Sequence, residues 1–332
     1  MKAMLLEKIG PIESSPLKLV EVSDPQPARG QVRLKVRCCA ICRTDLHVIE
    51  GELPRRKLPV VPGHQIVGVV DAVGEGCVRL QPGRRVGVAW LRDTCGRCRF
   101  CLAGRENLCE SQRFTGYHED GGYAEYALVN EDFAYEVPDA FEDAAAAPLL
   151  CAGIVGYRAL KRSNLPDGGR LAIYGFGSSA HVVMQIAQAR GCKVYVVTRG
   201  ESHRELARRM GAAWVGENAA DMGAKVDSAI IFAPAGELVP HALGALEKGG
   251  TLALAGIYMT PVPTLDHEKH VFYERDIRSV TANTRQDGRE LLAEAERIPI
   301  RPHVVTYRLR DANRALQDLK ADRIAGTGVL VV

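Results

Sequence analysis

The sequence predicts a two-domain protein of the mixed α/β class. Its 332 residues are enough for about two domains of ordinary size. In the first half, short strands expected at residues 31–37 and 60–73 are separated by glycine and proline, which is typical of a β-rich domain. From Arg170 onward, strands and helices alternate, which is typical of a doubly wound parallel sheet. We therefore expect a β-rich domain joined to a doubly wound one.

Composition narrows the classes of function. Hydrophobic residues make up 46% of the chain and charged residues 25%, as in an ordinary globular protein. The net charge of +3 is too small to favour a nucleic acid or a lipid surface as partner. The most apolar stretch, residues 144–157, is too short to span a bilayer and is interrupted by proline and glycine. We expect a cytoplasmic protein that binds no nucleic acid and no membrane.

Four closely spaced cysteines are the strongest local signal. They are Cys95, Cys98, Cys101 and Cys109. This spacing can direct four thiolates at one ion, and four sulfur ligands favour zinc, with iron as the lesser alternative. Two disulfides are the other interpretation, but chains that use them are short and cysteine-rich, whereas this one has 10 cysteines in 332 residues. We predict a closed structural zinc site in a loop without helix or strand.

A second candidate metal site is dispersed along the chain. Cys42 and His64 precede the cysteine loop, and Cys151 follows it. Two thiolates and one imidazole leave a fourth zinc position open, as a catalytic zinc requires. No short spacing shows that the three residues meet, and singly they are more often a structural histidine and a small core residue. Their order around the cysteine loop favours the catalytic interpretation.

A glycine-rich turn indicates a dinucleotide site. The strand expected at residues 171–174 runs directly into Gly-Phe-Gly-Ser-Ser-Ala and then into a helix with apolar residues at helical spacing. In this setting glycines allow the backbone to approach a pyrophosphate at the helix N-terminus. Further strands are expected at residues 193–197, 227–233, 251–257 and 277–282. The turn residues assigned to the cofactor are Gly175, Phe176, Gly177, Ser178 and Ser179.

The end of the second strand of this domain bears on the choice of cofactor. NAD enzymes place an acidic residue there, but this chain has Thr198 and Arg199, with Arg204 nearby. A hydroxyl and a guanidinium suit a 2′-phosphate, because arginine offers bidentate donors. We therefore predict a preference for NADP(H), with NAD(H) as the alternative. Glu201 opposes this prediction because its carboxylate could bind the ribose, and both arginines could be solvated surface residues.

Together these motifs closely resemble the zinc-dependent alcohol dehydrogenases of the medium-chain dehydrogenase superfamily. The resemblance covers essentially all 332 residues. It rests on Cys-x-x-x-x-His at 42–47, Gly-His at 63–64, the cysteine loop, Gly-Gly-Tyr-Ala-Glu-Tyr at 121–126 and the dinucleotide turn. It implies a GroES-like catalytic domain formed by residues 1–151 and 286–332. A Rossmann dinucleotide-binding domain at residues 152–285 would be inserted between these two parts.

The resemblance implies roles for individual residues. The ligands of a catalytic zinc would be Cys42, His64 and Cys151, which gives two zinc ions per chain with the cysteine loop. Thr44 would hydrogen-bond the substrate alcohol, Asp45 would orient the ligating histidine, and His47 would end a proton relay. The plain alternative for these three residues is a polar turn after a strand.

Cofactor and substrate contacts follow from the same resemblance, with one departure. Arg43 would contact the pyrophosphate. An apolar pocket of modest size would be lined by Leu53, Trp90 and Leu91, although Trp90 could equally pack in the core. Gln65 stands where the family usually carries glutamate. A neutral amide there leaves zinc chemistry intact but alters ligand exchange and the pKa of bound water.

We therefore expect an alcohol dehydrogenase or aldehyde reductase. It would transfer a hydride between a primary or secondary alcohol, or the matching aldehyde or ketone, and the nicotinamide, in a homodimer or homotetramer. One rival is a regulatory protein that binds zinc and nucleotide without turnover; Gln65 favours it, but Thr44 and His47 argue against it. A second rival, a zinc-free quinone or enone reductase of the same fold, would lack both metal constellations.

Overall fold

The chain forms two compact units. The structure is a computed structural model, and it describes residues 1–54, 57–298 and 300–332. The first unit comprises Met1–Ala152, Ala282–Glu296 and Pro302–Val332. The second comprises Gly153–Thr281 and Arg297–Arg301. The first is rich in antiparallel strands and the second alternates strands with helices, so the mixed α/β class is confirmed.

The strands and helices are numbered in chain order. The strands are β1 (Lys2–Leu6), β2 (Leu17–Glu21), β3 (Gln31–Ala40), β4 (Gln65–Val73), β5 (Arg85–Val88), β6 (Leu91–Asp93), β7 (Arg113–Phe114), β8 (Tyr126–Asn130), β9 (Ala134–Glu136), β10 (Arg170–Tyr174), β11 (Lys193–Val197), β12 (Trp214–Gly216), β13 (Val226–Ile231), β14 (Leu246–Leu254), β15 (Asp276–Ser279), β16 (Val304–Arg308) and β17 (Thr327–Val331). The helices are α1 (Arg43–Glu50), α2 (Arg99–Leu102), α3 (Asp143–Ala146), α4 (Ala152–Ser163), α5 (Ser178–Ala189), α6 (Glu201–Arg209), α7 (Leu238–Ala245), α8 (Arg285–Arg297) and α9 (Ala312–Lys320).

The main sheet of the first unit is built around β3. Its strands lie in the order β16, β17, β3, β4, β5 and β9, and β8 also pairs with β3. Alternate residues of β3, such as Val32 and Leu34, are fully buried, because one face of the strand packs on the core. In the antiparallel pairing of β3 with β4, Ala40 lies opposite Gln65. This register brings the residues just after β3 close to those just before β4.

The start of β4 differs from the sequence expectation. The strand predicted at residues 60–73 begins only at Gln65. Pro62 has no N–H to donate to a ladder, and Gly63 has φ of +94°, a left-handed conformation that breaks an extended strand. Val60 forms an isolated bridge with Leu6, and residues 61–64 are an irregular segment that leads to His64 just before β4. At the other end of the pairing, β3 extends to Ala40, beyond the expected residues 31–37.

The second unit contains one parallel sheet. Its strands lie in the order β12, β11, β10, β13, β14 and β15, and each neighbouring pair is parallel. The order reverses between β10 and β13, which is where open sheets of this kind bind ligands, at the carboxyl ends of the strands. The predicted doubly wound sheet is thus confirmed. Ala180, Val183 and Ala187 are fully buried along α5, as their helical spacing predicts.

No single helix among the described residues is long and apolar enough to cross a membrane. Two consecutive helical segments are long and apolar enough only when they are taken together. They are Asp143–Leu150 and Ala152–Ser163, and the chain bends by 45° between them.

Candidate functional site

Cys42, His64 and Cys151 come together in the first unit. Cys42 caps the start of α1, His64 immediately precedes β4, and Cys151 immediately precedes α4. Their ligand atoms all lie within 4.8 Å of one another. His64 is fully buried and Cys151 is 9% exposed. The structure therefore brings together the three residues that the sequence could not show to meet.

The histidine of this cluster is held in one orientation. His64 Nδ1 lies 3.0 Å from Asp45 Oδ1, and the opposite ring nitrogen, Nε2, is buried without a hydrogen-bond partner. A buried polar atom is rarely left in this state without a functional reason. A histidine anchored through one nitrogen by a carboxylate, with the other nitrogen unpaired, is the arrangement of a metal-ligating imidazole.

The protonation states that the cluster favours also suit the binding of a cation. A hydrogen bond from Cys151 and the positive charge of the adjacent His64 ring, against the effect of burial, hold the pKa of the Cys42 thiol well below the ordinary value. Burial opposes a charged imidazole, but Asp45 and Cys42 raise the pKa of His64 to about 10 overall. The bond to Cys42 and burial raise the pKa of Cys151 well above its ordinary value. The cluster thus favours a thiolate and a positive charge beside it, and the residues present fit a zinc ion.

Asp45 has partners at both carboxylate oxygens. Oδ1 faces His64, while Oδ2 accepts hydrogen bonds from the Cys42 backbone N–H at 2.8 Å and from the Tyr123 hydroxyl at 3.0 Å. The Cys42 side chain in turn accepts from the Thr44 N–H at 3.4 Å, so residues 42–45 form a capping box at the start of α1. The same local motif that begins the helix therefore fixes two candidate ligands.

Thr44 and His47 lie on one face of α1, three residues apart. Thr44 is 6% exposed, and its Oγ1 is 3.6 Å from Cys42 Sγ. His47 Nδ1 is bonded to the carboxylate of Glu52, whose backbone N–H also donates to the His47 carbonyl at 2.9 Å. Gly51 permits this tight turn because its φ is +77°. Arg43, at the start of the same helix, is exposed.

Gln65 links two of the ligand segments. It follows His64 directly and is 1% exposed. Its Oε1 accepts a hydrogen bond from the backbone N–H of Ala152 at 3.4 Å, and Ala152 follows Cys151. The amide thus stands beside the cluster and ties its two flanking segments together.

An aromatic wall borders the cluster. The Trp90 ring stacks on Phe114 at 4.8 Å and on Tyr117 at 5.8 Å, and it meets the His64 ring edge-on at 4.9 Å. Leu53 packs against the same group. A cavity of about 310 Å³ lies beside it and is lined in part by Leu53, Tyr117 and the charged Glu52. Leu91, by contrast, is fully buried in the main core of the unit.

The four cysteines of the loop also converge. Their ligand atoms lie within 4.8 Å of one another, and sulfur distances of 3.5 Å (Cys98 to Cys101) and 3.9 Å (Cys95 to Cys101) are too long for disulfides. The expected loop without helix is wrong at one point, because α2 forms a helical turn directly after Cys98. Backbone N–H groups of Arg97 and Cys98 lower the pKa of Cys95 to about 6, whereas burial raises that of Cys109 to about 11.

The glycine-rich turn lies at the carboxyl end of β10. Gly175 has φ of +86° and donates its N–H to Val197, the last residue of β11, at 2.9 Å. Phe176 is 2% exposed and packs edge-on against His181, so its side chain belongs to the core. Gly177 precedes α5, which begins with Ser178 and Ser179. Thr198 follows β11, so both turns end adjacent parallel strands.

The two arginines near this edge differ in their surroundings. Arg204 is ion-paired with Glu201 and Glu217 and also donates to the Arg199 carbonyl at 2.9 Å. The hydrogen bonds from Arg204, with those from Arg208, hold the pKa of Glu201 below its ordinary value. The Arg199 side chain is exposed. Arg204 is thus engaged by two carboxylates, whereas the Arg199 side chain is exposed to solvent.

Comparisons with known proteins decide the family. Residues 28–139 match the alcohol dehydrogenase GroES-like domain, and residues 179–297 match the zinc-binding dehydrogenase family. A probable alcohol dehydrogenase, AdhA, of Mycobacterium tuberculosis (strain CDC 1551 / Oshkosh) is 47% identical over 100% of this chain and 97% of its own. The chain belongs to the zinc-dependent alcohol dehydrogenases of the medium-chain superfamily. The predicted resemblance and the pairing of GroES-like and Rossmann domains are therefore confirmed.

Solved structures agree with this family membership. A cobalt- and zinc-bound thermostable alcohol dehydrogenase from Pyrobaculum aerophilum has a TM-score of 0.90 at 27% identity, covering 100% of this chain and 99% of its own. A cinnamyl alcohol dehydrogenase from Sorghum bicolor has a TM-score of 0.89 at 28% identity, covering 99% of this chain and 97% of its own.

Sequence reasoning about this alcohol dehydrogenase missed two residues next to the cluster. Glu52 is bonded to His47, and Tyr123 to Asp45. Tyr123 could have been found, because it lies in the Gly-Gly-Tyr-Ala-Glu-Tyr segment that helped to identify the family. For Glu52 the available signal was the glycine before it, which favours a turn back toward the end of α1.

Proposed function

We propose that this chain is a zinc-dependent, NADP(H)-preferring alcohol dehydrogenase or aldehyde reductase with two zinc ions per chain. The observation that carries the proposal is the meeting of Cys42, His64 and Cys151 next to the Thr44 hydroxyl. These three side chains would hold the catalytic zinc, and the four-cysteine loop would hold the structural one. When bound, zinc supplies a Lewis acid that stabilises negative charge on the substrate oxygen.

The residues of α1 provide a route for the alcohol proton. The Thr44 hydroxyl takes up the substrate proton as it releases its own proton toward His47, whose imidazole passes a proton to solvent. Glu52 holds Nδ1 of His47, which leaves Nε2 for that exchange. The His47 side chain is 18% exposed, so this end of the route is close to water.

The substrate is a small alcohol, or its carbonyl product, with an apolar body. Trp90, with its neighbours Phe114 and Tyr117, presents a flat aromatic surface next to His64. Flat apolar surfaces favour substrates that lose their hydration easily and offer no charge. Leu53 extends this surface. Leu91 lies in the core, and we assign it to packing.

We assign phosphate recognition to Thr198 and Arg199, with Arg43 as a contact for the pyrophosphate. Arg199 is exposed, whereas Arg204 is already engaged by two carboxylates. Arg199→Ala should raise KM for NADPH by about 10- to 100-fold relative to KM for NADH, as expected for loss of a charged hydrogen bond of about 1.5–3 kcal/mol. Arg204→Ala serves as the matched control and should change both values alike. Equal effects of Arg199→Ala on the two cofactors would contradict the assignment.

Self-association and location complete the proposal. β15 is the edge strand of the parallel sheet, and Ile277 on it and Phe272 just before it are 40% and 58% exposed. An apolar sheet edge is a natural pairing surface, and it supports a homodimer or homotetramer. The metal-binding roles require reduced thiolates, which supports a cytoplasmic location.

Kinetics on zinc-replete protein test the function directly. Oxidation of a panel of primary and secondary alcohols, and reduction of the matching aldehydes and ketones, should be measured with both cofactors. We expect turnover in both directions, faster with the NADP(H) pair. A protein that binds two zinc ions and nucleotide but turns over no substrate would instead fit a regulatory role.

A further inference from the structure

A short glycine-containing segment packs directly on the irregular segment that carries His64. Three backbone N–H groups of residues 121–123 donate to the carbonyl groups of residues 61–63, at 2.7, 2.9 and 3.0 Å. A Cβ on Gly121 would lie 2.0 Å from the Gly63 carbonyl oxygen, and one on Gly63 would lie 2.3 Å from the Tyr123 ring. Glycine at both positions is therefore what allows Tyr123 to lie against the segment that carries His64.

The Tyr123 hydroxyl reaches the carboxylate that holds the histidine. Tyr123 is fully buried, and its hydroxyl donates to Asp45 Oδ2 at 3.0 Å. The other oxygen of Asp45 is 3.0 Å from His64 Nδ1. Burial and the Asp45 charge raise the pKa of Tyr123 well above its ordinary value, so the hydroxyl keeps its proton and remains a donor. A continuous hydrogen-bonded series thus runs from Tyr123 through Asp45 to His64.

Core packing alone does not explain this hydroxyl. A phenylalanine would fill the same space between Gly63 and the sheet without placing a polar group in a fully buried position. We propose that Tyr123 is a positioning residue for His64: its hydroxyl fixes Asp45, and Asp45 then holds the imidazole in the orientation and tautomer in which Nε2 faces the metal position. This inference rests on the proposed catalytic zinc site.

Zinc release from the purified holoprotein tests the inference without relying on activity. A chelator should release zinc in two phases, and the phase that Cys42→Ser removes belongs to the catalytic site. In Tyr123→Phe, we expect that phase to be about tenfold faster, at the lower end of the effect of removing an outer partner of a metal ligand. Release from the cysteine loop should be unchanged. Tyr135→Phe is the matched control, because Tyr135 is also buried in the first unit and its hydroxyl accepts a hydrogen bond from Asn283, away from the Asp45 carboxylate.

A second variant distinguishes a specific effect on the orientation of His64 from a general loosening of the structure. In Asp45→Asn, which keeps the shape of the side chain, adding Tyr123→Phe should accelerate catalytic-site release no further. The inference would be overturned by unchanged release in Tyr123→Phe, by equal acceleration at both zinc sites, or by a full additional effect in Asp45→Asn. Wild-type protein that binds no zinc at Cys42, His64 and Cys151 would overturn the proposed function and this inference together.

Discussion

The two candidate metal sites are built in opposite ways. The cysteine loop draws all its ligands from residues 95–109, and three of its four cysteines are partly exposed. The other cluster draws ligands from three distant segments and is largely buried. Backbone N–H groups of the loop itself steady its sulfurs, as at Cys95, which accepts from Cys98 N–H at 3.3 Å. His64 depends instead on Asp45 and Tyr123, which come from other segments.

This difference separates what a local sequence can specify from what requires a fold. A short loop needs only its own turns to gather four thiolates, so its site can form as the loop does. The dispersed cluster exists only once β3 and β4 are in register, because Ala40 must lie opposite Gln65. We infer that the loop serves stability, whereas the dispersed cluster depends on the completed fold and is free to serve catalysis.

Removal of one ligand from each site should give the largest difference in effect between the two sites. Cys42→Ser should reduce kcat/KM by well over about 100-fold, since loss of even an outer partner of a ligand costs 10- to 100-fold. It should leave the thermal unfolding midpoint close to wild type. Cys98→Ser should lower Tm by about 4 °C, if about 3 kcal/mol of stability is lost, and retain activity at low temperature. Calorimetry and kinetics on the same preparations measure both outcomes, and the reverse pattern would invalidate the assignment.

The proton route on α1 should give the next largest effect. Thr44→Ala should lower kcat by about 10²- to 10⁴-fold with both zinc ions retained, because the proposed route makes this hydroxyl the first proton acceptor. His47→Gln should cost about tenfold and be partly restored by added base, since this residue is close to water. Zinc content and alcohol oxidation rates with and without added base measure these effects. Full activity in Thr44→Ala would exclude the route.

Gln65 allows a smaller, directional test of charge at the dispersed cluster. Gln65→Glu places a carboxylate beside the ligands, and a negative charge there disfavours ionisation of a nearby group. The pH profile for alcohol oxidation should therefore shift upward by roughly one unit. The glutamate can keep the hydrogen bond that Gln65 accepts from Ala152 N–H, so the fold should be unaffected. A profile that does not move would show that residue 65 does not sense the charge at the site.

The difference between the local cysteine loop and the dispersed cluster also explains which features the sequence could predict. Cysteine spacing predicted the loop site, and the strand, turn and helix pattern predicted the parallel sheet. Cys42, His64 and Cys151 were proposed as a set from their order around the cysteine loop and from the family resemblance, because no spacing within one segment reports contacts between three segments. The structure now brings them within 4.8 Å of one another.

Other features depended on contacts that one sequence does not show. Arg204 is engaged by Glu217, which follows β12, so this carboxylate partner could not be inferred from the sequence near Arg204. The helical turn of α2 has only four residues, too few to give a periodic pattern. Leu91 is apolar in either setting, so only the packing shows that it lies in the main core.

The smallest expected effect concerns the cysteine loop after zinc is removed. Hydrogen bonds from Arg97 and Cys98 lower the pKa of Cys95 to about 6, so at pH 7.5 this residue is mostly thiolate. Burial raises the pKa of Cys109 to about 11, so that residue stays a thiol. Because the thiolate is the nucleophile, Cys95 should be alkylated by iodoacetamide at least about tenfold faster than Cys109. The difference should shrink as the pH approaches 11, where Cys109 ionises as well.

Peptide mapping by mass spectrometry after brief alkylation measures this difference, with the zinc-replete protein as control. In that control both cysteines should be protected, since metal-bound sulfur is a poor nucleophile toward the reagent. Equal rates at Cys95 and Cys109 in the zinc-depleted protein would show that the loop unfolds without its metal. The backbone of the loop alone would then not steady its sulfurs, and the loop site, like the dispersed one, would depend on more than its local sequence.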